Sequence, residues 1–135
     1  MNIVTTLFEK NPESAIAIIH EGGSITYGEL RNDVTRVSNW LKNHPLWPTS
    51  PVPRVALSHP SGPFYIALAL AILDAGGCFL PIPDELTPTE RQSLLATTAA
   101  HLLMTDEGAI TAVSHDSAPV FPEAELASLN PAFIR

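Results

Sequence analysis

Three short apolar runs, 54–59 (RVALSH), 78–82 (CFLPI) and 101–105 (HLLMT), are separated by two helix-sized segments. The runs are too short for buried helices and do not alternate, so they read as strands covered on both faces. The first intervening segment, 64–75, is apolar on nearly every side and is closed by Gly76-Gly77. The second opens on TPTE (87–90) and runs to about Ala100. Thr87 and Glu90 stand at the spacing of a capping box, with Pro88 at the favoured first helical position. Strand, helix, strand, helix, strand predicts an α/β fold: a mostly parallel sheet covered by helices on both faces, with right-handed crossovers. Ligands in such sheets bind beyond the C-terminal strand ends. That directs attention to 58–63, 82–87, 105–109 and whatever follows Arg135.

The N-terminal third has a different period. A short helix is expected over 3–10, ended by Asn11-Pro12. SAIAII (14–19) and ITY (25–27) form a predicted β-hairpin across EGGS (21–24). Thr26 and Glu29 then make a second capping-box pattern. Leu30, Val34, Val37 and Leu41 follow on one helical face, until Pro45. Residues 46–53 read as loop. Past 105 the pattern weakens: loop over 106–118 with one strand around Ala112 and Val113, a short helix at 123–129, and a strand opening at Phe133-Ile134 after the Asn130-Pro131 turn. With 135 residues and no internal repeat, a single domain, 1–135, is expected.

Composition narrows the function. The net charge is -7 and the seven basic residues are scattered, so no basic track exists for a nucleic-acid backbone. The longest apolar run, 64–73, falls short of the roughly 18 residues a membrane helix needs. The first residues lack the basic n-region of a secretory signal. A single cysteine, Cys78, excludes an internal disulfide and suits a reducing cytoplasm, the expected location.

The candidate ligand-facing loop is SHPSGP (58–63), with Ser58, His59, Ser61 and Gly62 ahead of a helix start whose amides could hold an anion. The simpler reading has Ser61 capping the helix and His59 ending the strand. The loop has one glycine, not the spacing of a phosphate loop. No two of the five histidines stand at metal-ligand spacing, and no metal site is expected. Cys78, inside an apolar strand, reads as a buried, inert thiol. SHDS (114–117) is a polar loop, since adjacency in sequence is not triad geometry. Asp84 and Glu85 suit the positive end of the following helix. Trp40 and Trp47 read as packing residues. No catalytic residue is assigned.

Three stretches carry a resemblance. ITYGEL (25–30), within 7–30, resembles the first conserved motif of the adenylate-forming (AMP-binding) enzymes: acyl- and aryl-CoA synthetases, luciferases and peptide-synthetase adenylation domains. LDAGGCFLPI (73–82), within 54–90, is similar to the family's second block, and HLLMTD (101–106) to the strand after the next helix. The similarity runs in order along nearly the whole chain. At Pro83 the chain departs from peptide-synthetase domains, which usually carry an acidic residue near there; PIPDELTP is closer to the CoA-ligase style.

The resemblance implies that PAFIR (131–135) is the strand leading into the Ser/Thr/Gly-rich loop that embraces the ATP phosphates. The chain would then be the N-terminal subdomain of an acid:AMP ligase, part of a larger adenylate-forming fold and not catalytic alone. ATP and magnesium are implied for the full-length parent. The implied partners are the remainder of the enzyme and CoA or a carrier protein. The alternatives are a stand-alone binding or regulatory module, half of a split enzyme completed in trans, and an unrelated flavodoxin-like nucleotide binder.

Overall fold

β3 (Arg54–Ser58) lies inside the sheet, and its side chains divide the interior in two. Val55 and Leu57 point to one face, Ala56 to the other, and all three are fully buried. The computed structural model describes residues 2–49, 52–83, 85–105 and 110–113. The expectations for 106–109, 114–117, 123–129 and 130–135 lie outside the described residues.

Two helices precede β3. α1 (Ile3–Glu9) is capped by Asn2, whose side chain accepts from the Val4 amide at 2.8 Å and donates to Asp74 Oδ1 at 2.9 Å. β1 (Ile16–His20) and β2 (Gly23–Thr26) form the expected antiparallel hairpin, with a register shift between Ile16 and Ile18. The turn is shorter than EGGS suggested, because Gly23, at φ 141°, already pairs with His20. Tyr27 belongs not to the strand but to α2 (Tyr27–Lys42), since Thr26 is the N-cap. The capping box is complete: the Glu29 amide donates to Thr26 Oγ1 at 3.1 Å and the Thr26 amide to Glu29 Oε1 at 3.0 Å. The predicted stripe of Leu30, Val34, Val37 and Leu41 is buried. Trp40 and Trp47 pack against the same core.

After β3 come α3 (Pro63–Asp74), β4 (Cys78–Pro81), α4 (Pro88–Thr98), β5 (Leu102–Thr105) and β6 (Ile110–Ala112). The sheet order is β4-β3-β5-β6. β3 pairs parallel with both β4 and β5, as expected, while β6 turns back antiparallel on β5. The chain leaves β3 for β4 on one side, then crosses to β5 on the other. Two crossovers of the same hand made in opposite directions place their helices on opposite faces. α3 therefore joins α1 and α2 over the face carrying Val55, Leu57, Leu102 and Met104. α4 covers the face carrying Ala56 and Leu103. β4 is an edge strand among the described residues, so Cys78 is half-buried rather than buried as predicted.

Candidate functional site

The C-terminal ends of β3 and β4 and the start of α3 enclose a cavity of about 330 Å³, within the range of small-molecule sites. It is lined by His59 and Ser61 after β3, Tyr65 in α3, and Pro81, Ile82, Pro83 and Glu85 at and after β4. This is the end of a parallel sheet where ligands bind. Two of the loops singled out from the sequence, 58–63 and 82–87, converge here. Their convergence follows from the parallel pairing of Leu57 with Pro81 and the Ile82 amide donating to the Leu57 carbonyl at 3.0 Å.

The four residues predicted to face a ligand are separated by strand geometry. His59 and Ser61 line the cavity, but Ser58 does not. Ser58 ends β3 and is 1% exposed; alternation puts it on the Ala56 side, facing α4. Gly62, not Ser61, is the N-cap of α3, and no side chain closes that helix start. With φ 155° and ψ -175°, Gly62 occupies a region essentially closed to other residues. A Cβ there would meet nothing within 4 Å, so the constraint is conformational rather than steric.

Local contacts fix the chemistry each group offers. His59 Nδ1 lies 2.8 Å from the Pro60 carbonyl, which can only accept, so Nδ1 carries the proton. In the neutral ring Nε2 is then an acceptor. The imidazole stands edge-on to Phe64, with ring centroids 4.7 Å apart. Tyr65 makes a similar edge contact with Phe79 at 5.8 Å, and burial pushes its phenol above the ordinary value, keeping it a donor. Glu85 alone carries a formal charge among the described lining residues. A phosphate entering this cavity would meet that carboxylate and no cation. Sequence reasoning missed Tyr65 and Pro81 as lining, because only the fold brings residues 59–65 and 81–85 together.

Among the described residues no group of three or more His, Cys, Asp or Glu side chains is placed to hold a metal ion, and the described lining of the cavity includes no Lys or Arg. No described helix is long and apolar enough to cross a membrane.

Comparison with known proteins gives a consistent family. The family model described as AMP-binding enzyme matches residues 5–131. Nonribosomal peptide synthetase 7 of Gibberella zeae is 32% identical over 112 residues, covering 83% of this chain and 2% of that protein. A feruloyl-CoA synthase of Amycolatopsis is 34% identical over 90 residues, covering 67% of this chain and 18% of the relative. Among solved structures, a benzoate CoA ligase from Burkholderia xenovorans superposes with a TM-score of 0.68 at 26% identity, over 78% of this chain and 21% of that one.

Proposed function

The chain belongs to the AMP-binding enzyme family, and from that membership we propose that it is the N-terminal scaffold of an acid:AMP ligase. The complete enzyme would join a carboxylic acid to the AMP moiety of ATP. The carboxylate oxygen bonds to the α-phosphorus as pyrophosphate leaves, and the acyl group then passes to the thiol of CoA or of a carrier protein. Such a displacement depends on positioning and on stabilising charge at the phosphorus. This chain would supply the sheet and helices on which those groups are mounted, and would not catalyse alone. The observation that carries the reading is one of extent. The match covers most of this chain but only about a fifth of the benzoate CoA ligase.

Within that enzyme we assign the loop from Ser58 to Gly62 a ligand-facing role through His59 and Ser61. Carboxylate-dependent exchange of pyrophosphate into ATP tests both statements. The 135-residue chain is expected to show no exchange with any acid, and the complete enzyme to show it with its own acid. Exchange by the isolated chain would refute the scaffold reading. In the complete enzyme, His59→Ala is expected to raise KM for at least one substrate; unchanged kinetics for acid, ATP and thiol would remove the loop from the site.

A further inference from the structure

Three polar atoms on the α4 side of the sheet are buried without a hydrogen-bond partner among the described residues: Ser58 Oγ, Thr105 Oγ1 and Arg91 Nε. Buried donors of this kind are rare in folded proteins, and each calls for a cause. Strand register and helix spacing place the three at one level of the sheet. Ser58 and Thr105 are register partners across β3 and β5, so their Cα atoms stand about 4.8 Å apart. Each lies two residues beyond a side chain of the small cluster under α4, Ala56 on β3 and Leu103 on β5. Alternation therefore puts both hydroxyls on that same face. Arg91 precedes by four residues Leu95, the α4 side chain packed into that cluster. As the crossover between parallel strands, α4 runs opposite to them. Four residues back along the helix is about 6 Å, and two residues on along a strand is about 6.6 Å. The guanidinium and the two hydroxyls thus reach the same level, at the C-terminal edge of the sheet.

Nothing among the described residues neutralises this cluster. The ion pair of Arg31 with Glu13 lies elsewhere. Glu90, next to Arg91, is engaged in the α4 cap, accepting from the Thr87 amide at 3.0 Å. Arg91 is itself only partly buried, so part of its side chain reaches solvent while the three unpartnered atoms are shielded from it.

We propose that Arg91, Ser58 and Thr105 form an oxyanion site that takes the carboxylate or phosphoryl group of a small molecule. A guanidinium presents donors in a planar fork that matches such groups, and two hydroxyls add donors from the sheet. The site is separate from the mouth cavity, whose charge is the Glu85 carboxylate. It goes beyond the acid:AMP ligase reading and does not depend on it.

The test uses the ¹⁵N-labelled 135-residue chain and follows the arginine Nε–H resonances. Sodium phosphate and sodium acetate are titrated separately, at ionic strength held constant with sodium chloride. The Arg91 signal, identified by its loss in Arg91→Gln, is expected to move along a saturable curve. Ser58→Ala and Thr105→Val should each weaken that binding roughly 3- to 10-fold. Both variants should stay folded, because replacing an unpartnered buried hydroxyl with an apolar group is close to neutral. Tighter binding of phosphate assigns the site to phosphoryl groups, and tighter binding of acetate to carboxylates. No saturable shift with either anion, the same shift with chloride alone, or unchanged affinity in both hydroxyl variants would overturn the proposal.

Discussion

His101 holds the N-terminal edge of the sheet together as a neutral ring. Its Nδ1 accepts from the Arg54 amide at 2.8 Å, and its own amide donates to the Arg54 carbonyl at 2.7 Å. The Val113 amide donates to the His101 carbonyl at 2.8 Å, so one residue ties β3 and β5 to the segment after β6. Burial lowers the imidazole pKa below 6.5, and the neighbouring Arg54 charge lowers it further. The sign follows. The unfolded chain takes up this proton first, so the contribution is fully present above the unfolded value and is lost as pH falls through the folded one. Protonation also removes the lone pair that receives the Arg54 N–H. Asn at this position offers an acceptor oxygen and does not titrate. Urea midpoints between about pH 7.5 and pH 5 should therefore fall more steeply for the parent chain than for His101→Asn. Parallel curves would show that this ring does not govern acid stability.

At the scale of elements, the cues that could be read were the local ones. Both capping boxes, the α2 stripe and the three central strands stand where the spacing of Thr26, Thr87 and the apolar runs put them, because these signals span a turn or a pleat. The cavity was legible only in part. Loops 58–63 and 82–87 were singled out, but the split between His59 and Ser58 depends on strand direction, and the level of Arg91 relative to Thr105 depends on a crossover. The direction of β6 had no signal in three residues. Two element-level predictions follow from the geometry. Thr26→Ala removes the hydroxyl that receives the Glu29 amide and should cost about 1 kcal/mol in urea unfolding. Gly77 joins α3 to β4 where a Cβ would stand 3.1 Å from the Ile72 and Pro53 carbonyls. Backbone oxygens on both sides cannot yield as a side chain does, so Gly77→Ala should destabilise by about 1–3 kcal/mol. An effect as small as that of an exposed alanine substitution would mean that the junction relaxes freely.

At the scale of the whole molecule, the described residues pack unequally on the two faces of the sheet. Among the described residues, fifteen buried side chains form the cluster beneath α1, α2 and α3, whereas five form the cluster beneath α4. Hydrophobic stabilisation scales with the apolar area removed from water, so the described residues hold the α4 face less strongly than the other. α4 itself contributes one buried side chain, Leu95, and its capping box secures the helix rather than its attachment. Proteins open first where few apolar contacts resist. Leu95→Ala removes the anchor of α4 and should cost about 2–4 kcal/mol locally. Its effect on the rest should be smaller, because Val55, Leu57, Leu68 and Ile72 pack on the opposite face. Native-state hydrogen exchange separates the two. In Leu95→Ala the amides of α4 should lose protection while those of α2, α3 and β3 keep most of theirs. Equal loss across all four would show that the sheet transmits the strain and that the faces fold as one cooperative unit. The selective outcome would make α4 the element free to shift when an anion engages Arg91, with the larger face remaining as the rigid support.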